Sequence, residues 1–114
     1  MASRRDIAAL AAAIYGEARG ESRRGKEAVA HVAINRAEIG GVSLGDVVYG
    51  SSHSKWGQFS FANPQDNNAK TVRDAPRKDL RAWAEAVEIV VAVVEGRANG
   101  TKSDPTRGAT HYHA

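Results

Sequence analysis

Apolar residues recur at helical spacing near the start of the chain. The side chains of Ser3 and Asp6 can each satisfy a free backbone N–H, which is typical of a helix start, and Gly20 supplies a stop. The apolar positions between these signals share one helical face: Ile7, Leu10, Ala11, Ile14 and Ala18. The pattern therefore predicts a first helix that ends just before Gly20.

The next two predicted helices also begin at serine caps. Ser22 precedes a helix over about residues 24–38, and a glycine pair ends it. Its stretch AVAHVAIN is apolar on nearly all sides, which predicts a helix buried at the centre of the domain. Ser43 is followed three residues later by an aspartate and predicts a short helix over residues 44–49.

The second half of the chain mixes loops, short strands and one long helix. Residues 50–68 are rich in glycine, serine, asparagine and aromatics, and within them GQFSF (57–61) alternates like a strand. A long helix is predicted over 76–95, and GATHYH (108–113) alternates like a closing strand. The predicted buried stripe of the long helix is Leu80, Trp83, Ala84, Val87, Val91 and Val94. We expect a mainly helical α+β fold with a small β-sheet.

Composition narrows the class of protein. The 114 residues suffice for one domain, residues 1–114, and the absence of cysteine excludes a disulfide scaffold, a thiolate zinc site and a cysteine nucleophile. Sixteen basic against thirteen acidic residues give a net charge of +3 that is spread along the chain, so we expect no nucleic-acid partner. No apolar run is long enough for a membrane anchor. Charged Asp6 and Glu17 bracket the first apolar stretch, so we interpret it as mature structure and not as a signal peptide.

One carboxylate stands where the first helix should be apolar. With Leu10 at zero and about 100° per residue, Ile14 falls near 40° and Glu17 near −20°. Glu17 also lies in the last turn, where the helix dipole disfavours a negative charge. Both features favour the protonated form that a general acid requires. Glu17 is therefore the candidate catalytic acid, and the alternative is a glutamate bent outward at a frayed helix end.

Other chemistry-bearing residues have ordinary structural explanations. Glu21 lies in a charged stretch and is interpreted as a surface residue, and Asp104 before a proline is interpreted as turn-forming. Gln58 and Ser60 would share one strand face, which suits polar contacts to a ligand. A His-x-His pair at His111 and His113 could ligate zinc together with His53 or Glu17, but no tight cluster of further ligands accompanies it, and we predict no metal or other cofactor.

Four segments together resemble a known family. The segments IYGEARGES, GKEAVAHVAINR, VVYG with GQFSF, and DPTRGATHYH run in order from about residue 8 to 113. They resemble the spore cortex-lytic, SleB-type cell-wall hydrolases, which are similar to lysozyme-like lytic transglycosylases. The resemblance implies a lysozyme-like domain and places the family's catalytic glutamate at Glu17. It also implies substrate contacts by residues Gln58, Phe59, Ser60, His111 and Tyr112.

The resemblance implies cleavage of peptidoglycan glycan strands by lytic transglycosylation at the bacterial cell wall. A single Glu suffices for this reaction, because the C6 hydroxyl of the sugar replaces water and leaves a 1,6-anhydromuramoyl end. We expect a monomer, and the absence of a visible signal or anchor is as typical of phage or prophage lysis proteins as of a spore enzyme. Two alternatives are lysozyme-like hydrolysis, which needs a second carboxylate, and a zinc amidase or peptidase. A third is a non-catalytic, basic wall-binding or nucleic-acid-binding module.

The chain departs from the family pattern in two places. It inserts SSHSKW (Ser51–Trp56) between VVYG and GQFS, and we expect this insertion to reshape one rim of the groove. Family members commonly continue past the final tyrosine motif, whereas this sequence stops at Ala114. The last strand or a groove wall is therefore expected to be missing or supplied differently.

Overall fold

Five α-helices and one 3₁₀ turn account for the regular structure of the described residues. The computed structural model describes residues 2–52, 57–100 and 104–111. The elements in chain order are α1 (Arg4–Ala18), α2 (Arg23–Gly40), α3 (Leu44–Tyr49), the 3₁₀ turn (Ser60–Ala62), α4 (Ala69–Lys78) and α5 (Leu80–Ala98).

Serine caps begin the first three helices, as the sequence predicts. The hydroxyls of Ser3, Ser22 and Ser43 each accept a hydrogen bond from the backbone N–H three residues ahead. Gly41 ends α2 in the left-handed conformation, with φ of 64°, which glycine adopts without steric cost. The predicted bounds of α1, α2 and α3 are confirmed to within two residues.

Helix α1, and not α2, lies at the centre of the fold. It packs against α2, α3, α4 and α5, and every residue from Ala9 to Tyr15 is buried. Most of these buried residues are alanines, whose small side chains let neighbouring helices approach on all sides. The apolar stretch of α2 is buried as predicted, but α2 is covered mainly by α1, α3 and α5. The last turn of this central helix therefore opens from the core toward the surface.

The expected α+β class is wrong, because the described residues are all helical or irregular and contain no strand. Among bonds between described residues, the segment 57–61 makes one backbone hydrogen bond to α3, from the Phe59 N–H to the Val48 carbonyl at 2.9 Å, and Ser60 then starts the 3₁₀ turn. Residues 108–111 form bends and irregular backbone. The rest of the second predicted strand lies outside the described residues. Alternating burial in an irregular segment produced the strand-like pattern.

The predicted long helix is also wrong, because two helices occupy this region. Helix α4 begins at Ala69, before the predicted start of the long helix at residue 76. It carries Pro76 in its last turn. Asp79 has a non-helical backbone conformation, with φ of −139° and ψ of 60°, and this interrupts the helix between α4 and α5. The Tyr15 hydroxyl donates to Asp79 Oδ2 at 2.8 Å, so α1 holds this break in place.

The buried face of α5 differs from the predicted stripe. Leu80 is 66% exposed, and Trp83 is only half-buried at the edge of the core. The buried residues of α5 are Ala86, Ile89, Val90, Val93 and Gly96. Since α5 is apolar on more than one face, periodicity alone did not determine which face packs against α1.

Candidate active site

Glu17 lies half-buried in the last turn of α1, at the edge of the core. Its neighbours Ile14 and Ala18 are fully covered, as expected for a position within the apolar stripe. The Ser60 hydroxyl donates a hydrogen bond to Glu17 Oε1 at 3.3 Å. This contact joins the end of α1 to the 3₁₀ turn and restrains one oxygen of the carboxylate.

Glu17 opens onto a surface cleft of about 330 Å³. The cleft lining brings together five of the six predicted site residues, from parts of the sequence up to 94 positions apart, and adds three others. These residues are Glu17, Gln58, Phe59, Ser60 and His111, with Val32, Arg36 and Gly57. The sixth predicted site residue, Tyr112, lies outside the described residues, as do His53 to Trp56 of the inserted loop. The cleft therefore has one wall from α1 and α2 and the other from the segment after α3.

The segment 57–61 presents its polar side chains outward although it is not a strand. Phe59 and Phe61 are buried, at 8% and 5% exposure, while Gln58 and Ser60 are exposed. Gly50, with φ of 83°, lies directly against this segment, and a Cβ at position 50 would come within 3.2 Å of Gln58 Cβ. The predicted division into a polar and an aromatic face is thus present in irregular backbone.

Arg36 of α2 lines the cleft, although the sequence patterns did not single it out as a candidate site residue. Its guanidinium lies over the Phe59 ring, 5.2 Å from the centroid, and its Nε donates to the Thr110 carbonyl. Burial lowers the pKa of Arg36, and the nearby negative charge of Glu17 works in the opposite direction. The available signal was helical spacing, because Arg36 follows the buried Val32 by four positions and so shares its face.

Asp104 is a structural anchor and not a second cleft carboxylate. Its Oδ1 accepts from the Thr106 N–H at 2.8 Å and the Thr106 hydroxyl at 2.5 Å. Its Oδ2 accepts from Asn35 Nδ2 at 2.9 Å and the Gly108 N–H at 2.8 Å. Partial burial raises the pKa of Asp104, but these hydrogen bonds outweigh it and hold the pKa well below its usual range. The prediction of a turn-forming aspartate is confirmed.

The same network ties the C-terminal segment to α2 and α5. Arg97 of α5 donates to His31 Nδ1 and to Asn35 Oδ1, each at 2.9 Å, and to Glu38 Oε1 at 2.6 Å. Because arginine only donates, the buried His31 accepts at Nδ1 and carries its proton on Nε2. Asn35 also donates to the Ala109 carbonyl at 3.0 Å. These bonds hold His111 at the rim of the cleft.

Two other residues from the sequence lie away from the cleft lining. Glu21 is exposed beyond the end of α1, in keeping with its predicted surface position. Tyr15 is buried, and the pKa of its phenol is raised by burial and by its hydrogen bond to Asp79. Tyr15 therefore connects α1 to the break between α4 and α5.

Metal-binding side chains do not form a group of three within the described ranges. His111 lies in those ranges, whereas His53 and His113 of the alternative zinc set lie outside them. Over the same ranges, no helix has the length and apolar character needed to cross a bilayer.

Comparison with known proteins identifies the family. A family model described as cell wall hydrolase matches residues 20–114, which is more than half of the chain, and the matched region begins three residues after Glu17. Searches of curated proteins and of solved structures each find no match. The match covers α2 to α5 and all the predicted site residues except Glu17. The chain therefore belongs to the cell wall hydrolase family and is an enzyme that acts on cell-wall peptidoglycan.

Proposed function

We propose that the protein is a SleB-type lytic transglycosylase that cleaves the glycan strands of peptidoglycan, with Glu17 as the catalytic acid and then the base. The observation that carries the proposal is the cleft lining, in which Glu17 is the one carboxylate among the described residues. Hydrolysis of a glycosidic bond normally needs two carboxylates flanking the bond. Transglycosylation needs only one.

The reaction requires one proton to be given and one to be taken by the same group. Protonated Glu17 donates its proton to the glycosidic oxygen as the bond from that oxygen to C1 of the muramoyl sugar breaks. The resulting carboxylate accepts the proton of the C6 hydroxyl of the same sugar, and O6 bonds to C1. The products are a free 4-hydroxyl on one strand and a 1,6-anhydromuramoyl end on the other, and Glu17 returns to its protonated form.

The residues around Glu17 suit an uncharged, hydroxyl-rich polymer. Ser60 restrains the Glu17 carboxyl group, and the exposed Gln58 amide can both donate to and accept from N-acetyl groups and hydroxyls. The guanidinium of Arg36 stacks on the Phe59 ring, and both residues line the cleft. Tyr112 remains a predicted substrate contact. We infer no cofactor, and we propose that a monomer acts on the wall.

Asp104 bears on the choice between transglycosylation and hydrolysis. It lies outside the cleft lining, and both of its oxygens accept hydrogen bonds within the network that anchors residues 104–110. That arrangement supports a structural role for Asp104 and leaves Glu17 to act alone. The zinc amidase alternative predicts cleavage at the peptide stems, and a chelator would abolish that activity by removing the zinc ion.

Mass spectrometry of muropeptides released from purified peptidoglycan tests the proposal. We expect products one water lighter than reducing-end muropeptides, unaffected by EDTA and absent with Glu17→Gln. Glu21→Gln is the matched control, since it removes an exposed carboxylate that lies outside the cleft lining, and it should give the same anhydro products. Reducing-end products would replace transglycosylation with hydrolysis, and stem-peptide cleavage lost on chelation would favour the zinc enzyme.

A further inference from the structure

Gly16 lies inside a helix, where the conformational freedom of glycine is not required. It lies in α1 directly before Glu17, and its φ is not positive. Glycine destabilises a helix interior relative to alanine, so another requirement must account for it there. A Cβ at position 16 would lie 3.0 Å from Phe61 Cδ1 and 3.2 Å from Val72 Cγ2. Helix α1 therefore presents bare backbone to the aromatic ring of the 3₁₀ turn.

The ring of Phe61 packs against two other aromatic rings and also lines a surface cavity of about 390 Å³. It packs edge-to-face with Tyr49, at 6.1 Å between ring centroids and 75° between planes, and with Phe59, at 6.5 Å and 62°. Phe61 is 5% exposed, so a methyl group at position 16 would push the ring against neighbours that are already in contact. We expect the ring to yield by moving away from α1, and the 3₁₀ turn that carries Ser60 to move with it.

Ser60 is the residue of this turn that reaches the carboxylate. It directly precedes Phe61, and its 3.3 Å hydrogen bond to Glu17 Oε1 is near the upper limit of a useful contact. A displacement of a few tenths of an ångström would therefore break it. Asn68, at the start of α4, donates to the Gly16 carbonyl at 2.9 Å and fixes α1 on the other side of the contact. The spacing between α1 and the turn thus depends on residue 16.

We propose that Gly16 is a positioning residue: its missing side chain sets the depth of Phe61, and through Phe61 the contact of Ser60 with Glu17. The inference rests on the proposed role of Glu17 as the acid and base. Gly16 does not touch the substrate in this account. It acts by holding the 3₁₀ turn at hydrogen-bonding distance from the carboxylate.

The test compares Gly16→Ala with Gly20→Ala on purified peptidoglycan. Position 20 is a matched control because a Cβ there would meet nothing within 4 Å. We expect kcat of Gly16→Ala to fall about ten-fold, which is the loss of one hydrogen bond to a reacting group, with KM changed less than about two-fold. Gly20→Ala should match the unmodified protein. A Gly16→Ala enzyme with unchanged kcat would overturn the proposal.

Two double variants separate positioning from a general loss of packing. If Gly16 acts through Ser60, Gly16→Ala should cost almost nothing further in a Ser60→Ala background. Phe61→Leu makes room for the new methyl group, so Gly16→Ala with Phe61→Leu should equal Phe61→Leu alone, and this pair serves even if Gly16→Ala folds poorly. A full ten-fold loss in either background would contradict the mechanism. Activity retained by Glu17→Gln would instead refute the proposed function, independently of Gly16.

Discussion

Replacing Asp104 by asparagine tests whether this carboxylate anchors the C-terminal segment. The change keeps the size of the side chain but turns one acceptor oxygen into an NH₂ group. Each oxygen of Asp104 accepts two hydrogen bonds. The two donors that bond to the replaced oxygen would therefore face an NH₂ group, which cannot accept a hydrogen bond. A hydrogen bond to a charged acceptor contributes at least about 1.5 kcal/mol, and we use this lower value because the Asp104 side chain is 17% exposed. Loss of two such bonds should lower the free energy of unfolding by about 3 kcal/mol. For a chain of this length that corresponds to a fall of about 10 °C in Tm.

Urea denaturation and thermal melting followed by circular dichroism measure this loss. Glu88→Gln is the charge-matched control, because it removes one negative charge from an exposed ion pair with Arg23 and should cost less than about 1 kcal/mol. Asp104→Asn should also keep the product chemistry of the unmodified enzyme. A destabilisation no larger than that of Glu88→Gln would refute the anchoring role. A change from one product class to another would show that Asp104 takes part in the reaction.

Three further outcomes follow from the same contacts. Hydrogen bonding depresses the pKa of Asp104 in the folded state, so ionised Asp104 stabilises the fold fully above the unfolded pKa of about 4, and this stabilisation is lost as the pH falls below it. The difference in unfolding free energy between the unmodified protein and Asp104→Asn should therefore shrink in acid titrations. Ser60→Ala should lower kcat about ten-fold with unchanged Tm, in turnover assays on peptidoglycan, because it removes one exposed hydrogen bond to Glu17. Arg36→Lys keeps the charge but loses the planar stack on Phe59 and the Nε bond to Thr110, so catalytic efficiency should fall about five-fold; an unchanged value would mean that charge alone matters.

Local signals predicted the first half of the fold well. Serine caps and glycine stops act within a few residues, so the bounds of α1 to α3 could be read from the sequence. The second half depends on tertiary contacts. Pro76 was interpreted as a helix start but lies in the last turn of α4, and the break at Asp79 is stabilised by Tyr15, 64 positions earlier. Neither the break nor the side of α5 that faces α1 has a local signal.

The candidate site was more predictable than its backbone. Glu17 stands out because a carboxylate in an apolar stripe is unusual, and the alternation of Gln58 to Phe61 reflects real alternation of exposure. The same alternation led to the wrong conclusion about a strand, because period two reports burial and not hydrogen bonding. Helical spacing indicates only that Arg36 shares a face with Val32, and no sequence pattern singles out Gly16. Their roles arise from contacts with Phe59, Thr110 and Phe61, which only the folded chain brings together.

Isotope labelling tests most directly the central claim that Glu17 cleaves the glycan without water. Peptidoglycan is digested in H₂¹⁸O, and the new chain ends are analysed by mass spectrometry. Transglycosylation predicts anhydro ends without ¹⁸O, formed by the unmodified enzyme and absent with Glu17→Gln. Incorporation of one ¹⁸O at each new reducing end would show that water attacks C1, and the single-carboxylate mechanism would then be wrong.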